Sequence, residues 1–493
     1  MKVAHDWLKH WDLNDPDCIA LVDGDSGESW SYHQFFARAQ SGADFLFHQK
    51  KIQKGDRVVY LGKNNLSVIT LFFATSRIGA ILVPVNFRLS SDEIQFIVGD
   101  SSAKLVVMDS EFENRASEFL SQAQEILSIL EFEKQTQQNK KFIDFNCDEK
   151  DPAMIIYTSG TTGRPKGATL CYRGLFWNAH STSLRLNLTQ KDKAVTFLPL
   201  FHTGGWNVLT TPFLSRGAQI ILTQKFDAAQ ILSLSEKYHA TLLFGVPTTM
   251  SMLAQHSTFE FINLSSVRYA IVGGEPMPLE LIQKWHDKNV PIRQGYGLTE
   301  FGPNVFSLDE KESLRKMGSI GTPNASIDVQ VITEKNQVAL PGEVGELYLR
   351  GPACMLGYWN QPEETKKTMS GNWLMTGDLV KFDSEGFFYV VGRKKEMYKS
   401  GGENVYPAEV ERVISQISWV KEVAVVGLRD DKWGEVGEAF VSSDKSRFNE
   451  SELREHCSKN LAKFKVPHFF HWIQELPKSG AGKVSKQDLG TTR

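Results

Sequence analysis

Short apolar runs alternate with stretches of helical periodicity through roughly the first 300 residues, and this alternation restricts the fold more than any other feature of the chain. Residues 57–61, 81–85, 104–108, 153–157, 194–198, 219–222, 241–246, 268–272 and 291–294 have strand length and turn residues at their ends. Residues 32–46, 67–78, 92–101, 170–186, 227–239, 247–254 and 280–288 carry apolar positions at helical spacing, and Asp227 is placed to cap its helix. Strand, helix and strand in succession make a crossover unit, which joins parallel strands and covers the faces of their sheet. The spacing predicts an α/β region of stacked, largely parallel sheets with right-handed crossovers.

Two later regions break the rhythm. Residues 317–360 hold short β segments (327–332 and 345–350) between turns at Asn336, Pro341-Gly342 and Gly351-Pro352, which predicts a small antiparallel layer. After a strand over 386–391 the chain changes again, with helices over 407–415 and 452–461 and strands over 423–428, 438–441 and 468–472. The expected division is a large domain, 1–394, and a small α+β domain, 395–493. The polar stretch 113–142 is expected to be a surface helix and loop without chemistry.

Composition excludes several classes. A net charge of -3 gives no long-range pull toward nucleic acid or anionic lipid. The five cysteines lack metal-like spacing and point to a reducing compartment. No run approaches the length of a membrane span, and the first residues lack the apolar core of a signal peptide, so a cytoplasmic location is expected.

Chemistry concentrates in a few stretches. Tyr157-Thr-Ser-Gly-Thr-Thr-Gly-Arg-Pro-Lys-Gly167 combines glycines, hydroxyls and two cations after an apolar strand. Backbone N–H groups there can form a nest for anionic oxygens. The spacing is not that of a Walker loop, and composition alone leaves a solvated turn open. Gln294-Gly-Tyr-Gly-Leu-Thr-Glu300 offers a ring for stacking, a hydroxyl and a hard carboxylate after a strand. His202 follows strand 194–198 in Pro199-Leu-Phe-His-Thr-Gly-Gly-Trp206, at the end where open α/β sheets bind ligands. A packed or surface histidine is the plainer alternative, as a core indole is for Trp206.

The 157–167 stretch resembles the phosphate-binding signature of the adenylate-forming enzymes, a family that includes acyl- and aryl-CoA synthetases, firefly luciferase and peptide-synthetase adenylation domains. The similarity extends over about residues 10–489, with Gly357-Tyr-Trp-Asn360 and Trp373-Leu-Met-Thr-Gly-Asp-Leu379 falling in the family's order. It implies that Thr158, Ser159, Gly160, Thr161, Thr162 and Gly163 hold nucleotide phosphates, with Lys166 acting in catalysis. Gly274 and Glu275 would line the wall where adenine and acyl group meet. Tyr296 would stack on the purine, Thr299 would reach a phosphate, and Glu300 would hold Mg²⁺. Asp378 and Arg393 would contact the ribose, and Gly402 would line a pantetheine channel. The implied hinge is Lys395, about which the C-terminal domain moves. Lys483 matches the adenylation lysine, although Ser479 stands where the family usually has threonine. His202 would lie beside the acyl carboxylate, where peptide-synthetase domains instead carry Phe-Asp.

The implied reaction is ATP-dependent formation of an acyl-CoA through an acyl-adenylate, releasing AMP and pyrophosphate, with ATP, Mg²⁺ and coenzyme A as cofactors. A medium- to long-chain fatty acid is the expected substrate, with Trp206 gating its tunnel. Benzoate- or cinnamate-type acids, and loading of a carrier protein, stand as alternatives. Small molecules are the expected partners; peripheral membrane contact and a homodimer stay open.

Overall fold

Strands read separately along the sequence assemble side by side. In the computed structural model, residues 6–115, 123–138, 147–158, 165–275, 277–478 and 484–491 are described. They belong to two compact units, Met1–Asp328 with Leu349–Leu374, and Val329–Tyr348 with Met375–Arg493.

The first unit holds two sheets. In one, Ile292–Leu298, Tyr269–Val272, Leu242–Gly245, Lys193–Thr196, Gln219–Leu222 and Ile19–Asp23 lie next to each other in that order, all parallel. Antiparallel strands flank them: Gly302–Ser307 and Thr322–Pro323 on one side, Ser29–Ser31 on the other. The other sheet runs Gly357–Tyr358, Lys166–Cys171, Pro152–Thr158, Ile81–Val85, Arg57–Leu61, Leu105–Met108, Glu125–Ser128. Its last five strands are parallel. The helix Leu66–Ile78 is buried at every residue and touches Ile81–Val85 of this sheet and Ile19–Asp23 of the other. Asn65 caps it by accepting from Val68 N–H, and Gly79 ends it in the left-handed conformation. Its mostly apolar composition suits such an interior position, and the hydroxyls of Thr70 and Thr75 donate to the carbonyls of Leu66 and Phe72.

Two expectations are corrected here. Residues 125–128 form an edge strand, not part of a surface helix and loop; only Leu127 of the four is buried, so the apolar pattern is faint. The helix expected from 170 starts at Tyr172, because Lys166–Cys171 is a strand paired antiparallel with Pro152–Thr158. Its continuous burial from Gly167 to Cys171 gives no alternation to distinguish strand from helix.

A five-stranded layer, most of whose residues fall in the second unit, comprises Asp328–Ile332, Gly345–Arg350, Trp373–Phe382, Met369–Ser370 and Phe388–Arg393. A second sheet has the order Glu403–Val405, Tyr398–Ser400, Gly434–Ser442, Glu422–Asp430, with Phe469–Ile473 parallel to Gly434–Ser442. Helices Pro407–Ile414 and Glu450–Asn460 place Val410, Ile414 and Leu453 in a core with Val425 and Val441. By packing, then, most of the antiparallel layer groups with the last hundred residues. Among the described residues no helix is long and apolar enough to cross a membrane, and all five cysteines are free thiols.

Candidate active site

Parallel strands bring their carboxyl ends to one edge. Lys193–Thr196 leads to His202, Tyr269–Val272 to Gly274 and Glu275, and Ile292–Leu298 to Thr299 and Glu300. Residues distant in sequence thus emerge along the edge where α/β sheets bind ligands.

Close backbone approaches shape these exits. A Cβ on Gly205 would lie 2.3 Å from Pro199 O, so glycine lets the π-helix Gly204–Thr210 start tight against the strand end. His202 is exposed, and its Nδ1 accepts from Gly204 N–H at 3.1 Å. A neutral imidazole in that arrangement carries its proton on Nε2, the nitrogen turned away from the turn. Trp206 has 0% exposure, packs on Phe72 at a centroid distance of 5.3 Å, and its indole N–H has no hydrogen-bond partner among the described residues. A Cβ on Gly297 would meet Pro303 C at 2.1 Å, so glycine is required where the strand folds back toward Gly302–Ser307. Tyr296 stands edge-on to Phe306 at 5.8 Å. Thr299 is buried, while Gly274 (φ +86°) and Glu275 are exposed.

Lys166 and Glu300 are joined through residues with no assigned role. Lys166 Nζ lies 2.5 Å from Glu364 Oε2 and 5.5 Å from the centroid of the Tyr358 ring. The Tyr358 hydroxyl donates to Glu300 Oε1 at 2.9 Å. Hydrogen bonds from Lys166, then Lys367, hold the Glu364 carboxyl down to about 2, so it is anionic at any ordinary pH. The Thr158 hydroxyl donates to Lys166 O at 3.4 Å. Ser159, Gly160, Thr161, Thr162 and Gly163 lie outside the described residues.

In the second unit, Asp378 and Arg393 are cross-strand partners. Arg393 Nε is 2.8 Å from Asp378 Oδ1, and Arg393 Nη1 donates to Thr376 O at 3.3 Å. Asp378 is 4% exposed, so its charge needs this partner. Buried Glu346 accepts from Gly377 N–H at 3.2 Å and pairs with Lys394 at 2.7 Å; that contact raises the Lys394 ammonium pKa above its ordinary range. Gly402 is exposed with φ +86°. Lys483 lies outside the described residues. On either side of it, Lys478 and Val484 form a β-bridge, and Ser485 N–H donates to Pro477 O at 2.7 Å.

Sequence reasoning overlooked Glu364 and Glu346. Glu364 belongs to the charged helix Pro362–Lys367, which reads as a solvated turn, and nothing local marks Glu346.

Comparison with known proteins identifies the family. The model of the "AMP-binding enzyme" family matches residues 8–359, and that of the "AMP-binding enzyme C-terminal domain" matches 409–483. A feruloyl-CoA synthase of an Amycolatopsis species is 36% identical over 475 residues, covering 96% of each chain. A long-chain-fatty-acid–CoA ligase of Mycobacterium tuberculosis is 34% identical over 483 residues, covering 96% of this chain and 95% of its own. The structure of o-succinylbenzoate coenzyme A synthetase from Bacillus subtilis, in complex with ATP and magnesium ion, superposes with a TM-score of 0.90 at 30% identity, over 98% of this chain and 99% of that one. With residues 8–359 and 409–483 matched by the two models, the protein belongs to the AMP-binding, adenylate-forming enzymes.

Proposed function

We propose that the protein is an AMP-forming acid–CoA ligase whose acid is aromatic, of the benzoate or cinnamate type. The carboxylate attacks the α-phosphorus of ATP, pyrophosphate leaves, and the CoA thiol then attacks the acyl carbon of the adenylate and expels AMP. Lys166 and the 158–163 stretch hold phosphates, Thr299 donates to one, and Tyr296 stacks on adenine. Glu275 and Gly274 form the wall beside the acyl group. Asp378, oriented by Arg393, accepts from the ribose hydroxyls. Lys483 offsets charge as carboxylate and α-phosphate react, and His202 offers its Nε2–H to the carboxylate. Lys395 is the hinge about which 395–493 moves between the steps, and Gly402 borders the thiol's path.

The residues fit a divalent ion accompanying ATP. Glu300 gives Oε1 to Tyr358, and its Oε2 accepts no hydrogen bond among the described residues. A free hard oxygen suits Mg²⁺, which takes one or two carboxylates together with substrate phosphates. When bound, the ion neutralises charge on the transferring phosphoryl group.

The observation that carries the aromatic acid is Trp206, closed against Phe72 with no exposed surface, which argues for a walled pocket over an open tunnel. The feruloyl-CoA synthase relative points the same way. A fatty acid is the second reading, favoured by the long-chain ligase relative. The test is kcat/KM for ferulate, 4-coumarate and benzoate beside saturated acids from hexanoate to octadecanoate. Aromatic acids should lead by at least about tenfold. Each buried methylene contributes about 0.8 kcal/mol, so a steady rise from hexanoate through dodecanoate would instead establish a channel and the second reading.

A further inference from the structure

Tyr358 stands between the two charged groups assigned to ATP and its metal. Its hydroxyl touches Glu300 Oε1, and its ring faces Lys166 Nζ. The backbone around it is pinned on several sides. Gly357–Tyr358 pairs with Lys166–Cys171, Tyr358 opposite Ala168, and Trp359 N–H donates to Gly167 O at 2.7 Å. Tyr358 N–H donates to Thr365 Oγ1 at 2.8 Å, and Met355 N–H to Glu300 O at 2.8 Å. One short segment is therefore tied both to the strand that begins with the lysine and to the backbone of the carboxylate residue. Glu364, in the helix that follows, holds the lysine itself.

A carboxylate on a rotatable side chain presents either oxygen in many directions. A hydrogen bond donated to one oxygen fixes the plane and leaves the other facing a chosen place. We propose that Tyr358 is a positioning residue: its hydroxyl fixes Glu300 so that Oε2 faces the divalent cation, and its ring keeps Lys166 at a set distance from that cation. Glu364 is then the counter-ion that Lys166 leaves when the triphosphate arrives. The proposal rests on the assignment of Glu300 to the metal and Lys166 to phosphate.

Tyr358→Phe keeps the ring and removes the hydroxyl. ATP binding is measured by calorimetry on the full chain, without acid substrate, over a Mg²⁺ series, with Mn²⁺ paramagnetic resonance as a direct count of bound cation. Half-saturation should require about tenfold more cation, as for lost outer-shell partners of a metal ligand. ATP affinity without divalent cation, and thioester formation from synthetic acyl-adenylate and CoA, should match the wild type. Glu300→Gln is the reference variant. If it shifts the cation requirement and Tyr358→Phe does not, the positioning role is overturned while the metal assignment stands. If Glu300→Gln leaves the requirement unchanged, the metal assignment fails and takes the proposal with it. A fall in melting temperature with equal loss of both half-reactions would make Tyr358 a structural residue and overturn the role as well.

Discussion

At the scale of single residues, partnership separates the charged groups. Asp378 is nearly buried and has the Arg393 guanidinium beside it, while Lys166 is held by Glu364. The resemblance assigns Asp378 and Arg393 to the ribose one by one; their pairing depends on cross-strand register, which no short motif encodes. The stretch from Gln294 to Glu300 stands out in the sequence because ring, hydroxyl and carboxylate follow one another at the end of a single strand. Glu364 was not, since a run of charges looks alike whether it faces water or a ligand lysine. Lys483→Ala tests the assignment of the adenylation lysine. Adenylate formation from ATP should fall roughly 10²-fold or more, while thioester formation from synthetic acyl-adenylate should survive; equal loss in both would refute the division of labour. Trp206→Ala should act through packing. Removing a fully buried indole costs about 3–5 kcal/mol, so the melting temperature should drop and activity should fall on every acid. A variant that folds normally and changes only its preference among chain lengths would restore the gate.

Elements explain what the periodicity could and could not reveal. Long parallel strands such as Arg57–Leu61 and Ile81–Val85 are buried along their length and read as apolar runs, so they were found close to their observed bounds. Glu125–Ser128 escaped notice because an edge strand shows water a partner's share of its surface. The strand Lys166–Cys171 was taken in part for helix, since uniform burial erases the period that distinguishes the two. The connector after Phe388–Arg393 is the element on which motion is staked. Lys395 sits in its turn, where Glu396 N–H and Met397 N–H both donate to Arg393 O. Proline at 395 fixes φ and removes a donor. Lys395→Pro should therefore leave rapid adenylate formation in place and collapse thioester turnover. Rapid-quench measurement of each step decides it, and equal damage to both would place the hinge elsewhere.

For the whole molecule, the chemistry predicts a fixed stoichiometry. One AMP and one pyrophosphate should appear for each thioester, read by chromatography in the presence of Mg²⁺. ADP rising in step with thioester would rule out adenylation. The fold class was legible because two separate signals agreed, alternation early in the chain and short β segments later. The acid was not, because its pocket is assembled from segments far apart in sequence. That same remoteness governs how the chain is made. Ile19–Asp23 takes its parallel partner from Gln219–Leu222, about two hundred residues downstream. During synthesis at about 5–20 residues per second, it waits roughly 10–40 seconds for that partner to emerge. Through that interval the strand has only Ser29–Ser31 beside it, and its other edge stays unpaired. An unpaired strand edge invites aggregation, so chaperone demand should fall once the ribosome has passed Leu222 and the tunnel has released it.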